Sequence, residues 1–477
     1  MNGLVRTGVI TVIVMLRAPP VPTTRKERRT ALPARLSAMT RTLAPTARTT
    51  AAALLSLGLL AGCATTESED ESAASGSTDE ATSDVTEAAA LTPRLVVTYD
   101  GGVQVLDANT LDVVGDVALD GFLRANPAGD GRHAALSTSE GFQLLDTGTW
   151  AEAHGDHAHY FTADPVLTDV TYEAETPGHA VVHAGRTNFW DDGTGEITIV
   201  DAEHVADGPG QDARTYTTPA AHHGVAVELT DGTLVLTDGT EDERSGVRVL
   251  DADDAEIAAT DECPSVHGEA TAQGEAVVLG CEDGVVIVKD GAVTKVDSPT
   301  SPGGFGTLAG SHSSSVVLGD YKEGEDQDPT QVSLIDAEAG TIQLVELPAS
   351  YTFRSLARGD DGEALVLGTD GALHVIDPIT GELTNSWPVV DAWTVPEDWQ
   401  EPRPAVWVND GTAFVSDPAT SSIHAVDILS GEVWNTATLD VVPNELTGVT
   451  GDGVEEYEAH HDEDEHADHD DHEDHDH

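Results

Sequence analysis

The sequence predicts an all-β protein, a β-propeller of eight blades with seven the alternative, set between a disordered N-terminal tether and a C-terminal tail rich in His and acid. Three observations predict it. From Leu95 to Gly453, short runs rich in Val, Leu, Ile and Thr are separated by Asp-Gly, Gly-Asp and Thr-Gly turns, with no helical periodicity of useful length; this is the pattern of strands and hairpins. An apolar-x-Asp or similar element followed by a turn recurs eight times, at Asp107, Asp146, Asp201, Asp251, Asp290, Asp336, Asp377 and Asp427. Its spacing centres near the roughly 40 to 50 residues of a four-stranded blade. An array of β-sandwiches fits less well, because the turn signature repeats too often.

Taken from the N-terminus, the chain divides into residues 1–62, 63–92, 93–454 and 455–477. Residues 1–38 are Arg- and Pro-rich without periodicity and read as an over-long start. From Met39, Arg41 and Arg48 precede an apolar stretch from Ala51 to Ala61 and the ending Leu-Ala-Gly-Cys. That stretch is far short of the roughly 20 residues of a spanning helix and has the length of a signal-peptide core. The ending resembles a bacterial lipobox, which makes Cys63 the lipidated first residue of the mature protein. Localisation is then extracytoplasmic, on the outer face of the cell membrane, with membrane contact through the lipid anchor only. Residues 63–92 form a Ser, Thr, Glu and Asp tract with too little apolar surface to offset the entropy of ordering, hence a flexible tether.

Within the body, Glu363 to Val389 reads as three strands joined by tight turns, EALVLGTDG, ALHVIDPITG and ELTNSWPV. The first unit lacks an innermost strand. The segment NELTGVTGDG, after the last complete unit, can supply it and close the ring between the two ends of the chain. With Cys63 modified, Cys263 and Cys281 remain; outside the cytoplasm such a pair forms a disulfide, and zinc thiolates are the alternative.

Charge sets limits on partners. The chain has 22 Lys and Arg against 86 Asp and Glu, and nine of the basic residues precede Cys63. Such a field repels nucleic acid and anionic membrane and concentrates cations. The last residues, HHDEDEHADHDDHEDHDH, place His460, His461, His466, His469, His472, His475 and His477 among acids. Imidazole suits zinc, copper and nickel, and carboxylates add oxygen ligands. A solvating tail needs acid alone, so this one reads as a loose, multivalent metal collector.

Histidines of the body are the candidates for a defined site. HGDHAHY carries His154, His157 and His159, and His-x-His spacing on an extended chain projects His157 and His159 to the same side. In the repeat register this segment sits just before the first strand of the third blade. His222 and His223 (AAHHGVAVEL) and His267 (CPSVHGEA) stand at the equivalent place in the next two blades. Innermost strands line the central channel, so His157, His159, His222, His223 and His267 are expected to converge at one mouth as a zinc site. By the same register, His312 falls on a turn at the opposite face and His179 and His183 on a second strand; these, with His133, His204, His374 and His424, read as surface or packed histidines.

No GxSxG elbow, HExxH pair, catalytic cysteine candidate or Gly-rich phosphate loop is present. The chain therefore reads as a non-enzyme with no catalytic residues. A metal-dependent surface enzyme and a propeller scaffold for protein interactions are the alternatives.

The segments HGDHAHY, PGHAVVHAGRTNFWDDGTGEI, AAHHGVAVEL and CPSVHGEA, in that order, resemble the corresponding stretches of AztD-type zinc metallochaperones. The resemblance runs from about Leu95 to Gly453. It implies a monomeric β-propeller that binds Zn2+ and hands it to the solute-binding protein of a zinc ABC importer. Zinc ligation is implied at His157, His159, His222, His223 and His267. The His-rich segment of that family lies near the mature N-terminus, whereas here it is C-terminal.

Overall fold

Eight four-stranded antiparallel sheets account for almost all of the described structure. The computed structural model describes residues 85–454, except 156, 211–212 and 325–327. Cys63, the tether up to residue 84 and the tail histidines lie outside the described residues. Among the described residues no helix is long and apolar enough to cross a membrane.

Six of the sheets are built from four strands consecutive in the chain. The third sheet, for example, runs Pro177–His183, Arg186–Asp191, Glu196–Asp201 and Arg214–Thr217, and the fifth runs His267–Ala272, Ala276–Cys281, Gly284–Lys289 and Ala292–Asp297. Ala276–Cys281 is buried along its whole length, whereas Ala292–Asp297 alternates with solvent. A strand covered on both faces reads as a continuous apolar run, and an outermost strand shows one face to water.

Eight apolar clusters hold the sheets together, each at the junction between two neighbours. Val225, Val249, Val277 and Val286 join the fourth sheet to the fifth, and Val278, Ile287, Val317 and Ile335 join the fifth to the sixth. Leu95, Leu106, Phe414 and Ile423 join the eighth to the first, so the series returns to its start. The first sheet is completed by both ends of the body: Leu446–Val449 pairs antiparallel with Arg94–Tyr99, Arg94 opposite Val449. The protein is a β-propeller.

The recurrent Asp marks one structural position. In each of the eight sheets it ends or immediately follows the third strand. At seven of them the side chain accepts backbone N–H groups of the turn that follows, as Asp107 does from Asn109 and Thr110, and Asp377 from Ile379 and Thr380. Asp and Asn favour turns by this local bond. Asp290 differs: it sits inside its turn with φ 51°.

A hairpin interrupts the regular order. Thr149–His154 and His157–Thr162 pair with each other, and Thr86–Ala88 adds to the second of these strands. This three-stranded sheet is inserted between the third strand of the second sheet, Gly141–Asp146, and its fourth, Val166–Glu173. HGDHAHY therefore does not precede a first strand, and Pro177–His183 is the first strand of its sheet rather than the second. A strand count carried through the hairpin as though it belonged to the ring runs one strand ahead.

Cys263 and Cys281 are joined in a disulfide with Cα atoms 5.0 Å apart. This removes both thiolates from metal binding.

Candidate metal centre

First strands of neighbouring sheets lie against one another in most of the series, Pro177–His183 on Ala226–Glu228 and His267–Ala272 on Leu308–Ala309 among them. His179 stands near the start of Pro177–His183, His223 in the loop before Ala226–Glu228, and His267 at the start of His267–Ala272. Two of these placements depend on irregular pairing. The ladder of Pro177–His183 shifts register between Pro177 and Ala180, across His179, and that of His267–Ala272 shifts between His267 and Glu269. Such bulges re-aim a side chain that regular alternation sends elsewhere. Gly268, with φ +72°, makes the second possible: a Cβ there would lie 2.5 Å from the carbonyl oxygen of Gly306.

The three rings meet. Centroids are 5.1 Å apart for His179 and His223, 5.6 Å for His179 and His267, and 5.1 Å for His223 and His267. One nitrogen of each lies within 4.8 Å of the other two. Some point then lies within roughly 2.8 Å of all three, so inward shifts of under about 1 Å reach the zinc–nitrogen distance of about 2.0–2.1 Å.

Outer partners hold the rings. His223 Nδ1–H donates to Asp192 Oδ2 at 2.6 Å, and His267 Nδ1–H donates to the Gly306 carbonyl at 2.7 Å. His179 Nδ1 faces Glu269 Oε2 at 3.8 Å. Occupying Nδ1 of His223 and His267 leaves Nε2 to carry the lone pair, as in carboxylate-oriented metal histidines. Burial holds His179 well below the ordinary imidazole range, helped by His267 and His223, and lowers His267 to about 4. Both are therefore neutral at pH 7, the form that ligates. Burial also raises Glu269 to about 7. The rings open into a cavity of about 430 Å3 that Arg124, Phe353 and Trp399 also line. On the other side His223 borders a cavity of about 410 Å3 edged by Glu241, Asp242, Glu243 and Glu282.

His222 does not join this cluster, which corrects the expectation that it converges with His223. It is buried edge-on against Trp190, its Nδ1 bonded to the Ala220 carbonyl at 2.9 Å and its Nε2 to Thr237 Oγ1 at 3.3 Å. Its own carbonyl accepts the Trp190 indole N–H at 3.0 Å. Next in the chain, a Cβ at Gly224 would lie 2.2 Å from Trp190. His222 and Gly224 thus seat the loop on Trp190 and leave His223 to face the cavity.

His157 and His159 also stand apart from His223 and His267, a second correction, because they ride the inserted hairpin. There they meet His154: the three rings are 5.1 to 5.4 Å apart, and one nitrogen of each again lies within 4.8 Å of the others. His159 Nδ1 contacts Glu87 Oε1 at 2.7 Å. This cluster is largely exposed.

His179 is the residue that sequence reasoning misplaced. His179, His223 and His267 follow one another at intervals of 44 residues, one unit of the repeat, and that equal spacing is the signal that finds it. The remaining histidines are packed or on the surface, as expected: His133 against Asp130, His374 between Asp370 and Ser386, His424 between Ser422 and Thr436, and His204 beside Asp207. His183 bonds Glu275 on the opposite rim, beside His312.

No family model matches the chain. A zinc chaperone AztD from Citrobacter koseri is 28% identical over 326 residues, which is 65% of this chain and 76% of that protein. A crystal structure of Citrobacter koseri AztD superposes with a TM-score of 0.66 at 25% identity, covering 76% of this chain and 99% of the other. This chain resembles AztD in sequence and in fold. An apo form of Citrobacter koseri AztD gives a TM-score of 0.64 at 24% identity, over 75% of this chain and 98% of that one, which concerns the fold alone. The AztD relative is named a zinc chaperone, which is consistent with the expectation that this chain is not an enzyme.

Proposed function

We propose that this protein is an extracytoplasmic zinc metallochaperone, anchored through Cys63, that delivers zinc to the solute-binding protein of a zinc ABC importer. The observation that carries the reading is the convergence of His179, His223 and His267 from three successive sheets, with His223 and His267 oriented through Nδ1. Three imidazoles suit zinc and leave a fourth position open. An open position lets an acceptor's ligand attack before the old ones leave. The likeness to AztD supports zinc as the cargo and transfer as the task.

In this reading His222 positions the loop, and His154, His157 and His159 form a second, exposed site with Glu87 beside it. The acidic edge of the cavity next to His223 draws cations toward the inner rings. The tail histidines from His460 to His477 collect metal. Val454 packs beside Gly185, at the far end of the strand that begins next to His179.

The test is a zinc titration of the full chain against a chromophoric chelator, with and without His179→Ala, followed by transfer to a purified zinc solute-binding protein. We expect one tight equivalent that His179→Ala removes and the acceptor takes faster than free dissociation allows. A tight equivalent that survives His179→Ala overturns the site, and transfer no faster than dissociation overturns the chaperone role.

A further inference from the structure

The cavity beside the inner histidines is larger than a zinc ion and one water require. It holds about 430 Å3, whereas a water occupies roughly 30 Å3. Its wall also carries Arg124, whose guanidinium has no hydrogen-bond or ion-pair partner among the described residues. In a chain with 86 acidic and 22 basic residues, an arginine whose guanidinium bonds no carboxylate is out of keeping with its surroundings, and the carboxyl nearby, Glu269, is held toward its neutral form by burial. Arg124 acts electrostatically on His179 and Glu269, so it sits close to the cluster. The remaining wall includes Phe353, Trp399 and Leu308.

These features belong together chemically. Three neutral imidazoles around a divalent cation leave a site of charge +2 with one coordination position open, and Arg124 adds a further positive charge beside it. A single water neutralises neither. A carboxylate does both: one oxygen ligates the metal, the other accepts from the planar guanidinium, and the carbon skeleton rests on the apolar wall. We infer that the cavity binds a carboxylate which completes the coordination of the metal held by His179, His223 and His267, with Arg124 as its anchor. The inference rests on the three-His site proposed above. The carboxylate has two possible sources, a free small organic acid and an acidic side chain of residues 455–477. No bond is made or broken beyond ligation; the carboxylate displaces water from the open position.

The experiment loads the full chain with cobalt(II), whose visible bands report its coordination, and titrates with malonate, inorganic phosphate serving as control. We expect a saturable spectral change with malonate and little with phosphate, which gains nothing from the apolar wall. Arg124→Gln should weaken malonate binding roughly tenfold or more, the cost of a charge-assisted hydrogen bond. Arg124→Lys should recover part of it by keeping the charge. A parallel titration uses a chain whose carboxylates in residues 455–477 are changed to Asn and Gln. If the tail is the source, the unaltered chain already has the malonate-bound spectrum and only the altered one responds; if the source is free acid, the two respond alike. Bound cobalt with bands that malonate does not move in either chain, or that Arg124→Gln leaves equally sensitive, overturns the inference. Failure of cobalt to occupy the three histidines overturns instead the site on which it rests.

Discussion

His154, His157 and His159 come from one hairpin and stand five residues apart in the chain at most, with His154 directly opposite His157. His179, His223 and His267 come from three sheets and stand 44 residues apart, one repeat each. Both trios bring one nitrogen per ring to within 4.8 Å of the others. They differ in what holds them. The hairpin rings are mostly exposed, and the carboxylate that His159 contacts belongs to a Glu87 that is itself 62% exposed. The inner rings are recessed, and His223 and His267 are fixed through Nδ1 by Asp192 and by a main-chain carbonyl. Freezing a mobile side chain on binding costs roughly 0.5–1.5 kcal/mol, and at the inner site most of that is met by folding. Similar ligand geometry should therefore give a tight inner site and a weak, fast-exchanging outer one.

The largest expected effect comes from removing an inner ligand. His267→Ala should weaken zinc binding by more than the roughly 10- to 100-fold that loss of an outer partner costs, measured by chelator competition. Asp192→Ala should fall within that 10- to 100-fold range, because His223 keeps its ring but loses the bond that orients it. If Asp192→Ala is silent, the inner site is not preorganised and the contrast with the hairpin disappears.

How much of this could be read beforehand follows from which interactions are local. The recurrent Asp marked eight repeat units, at seven of them because an Asp that bonds the next few backbone N–H groups is recognisable within four residues. The closing strand at Leu446–Val449 was legible as the complement of an incomplete first unit. The site was only half legible. His223 and His267 stood where the register put them, but His179 was assigned to a second strand because an inserted hairpin shifted the count. Asp192 and Gly306 act at 31 and 39 residues' remove and leave no mark near the histidines they hold. His222 looked equivalent to its neighbour until Trp190 showed which of the two is buried.

Next in size is the dependence of the metal-free protein on acid. His267 is lowered to about 4 when folded, against about 6.5 unfolded, and His179 is lowered in the same sense, both chiefly by burial. The unfolded chain thus takes up protons that the folded one does not. The histidines' contribution is full above about pH 6.5 and declines as pH falls toward 4, while Glu269, raised to about 7, contributes in the opposite sense between about pH 7 and 4.5. Zinc should reduce the decline down to the pH at which protons displace it. Urea midpoints of the apo Glu269→Gln variant at pH 7, 6 and 5, in which that opposing carboxyl is gone, check this, and a midpoint that rises on acidification contradicts the buried, neutral assignment.

The smallest effect on tight binding should come from the site that the sequence advertises most clearly. Changing both His157 and His159 to Ala leaves the hairpin its Gly155 turn and its pairing, and neither side chain contributes to the apolar clusters that join the sheets. The fold and the inner rings should be untouched. The double variant should therefore keep its tight equivalent within about twofold, inside the few tenths of a kcal/mol by which well-separated sites add. It should lose a weaker equivalent seen when zinc is in excess, and load more slowly from dilute zinc. If instead the tight equivalent goes with His157 and His159 while His267→Ala spares it, exposure and local spacing, not preorganisation across three sheets, govern affinity in this chain.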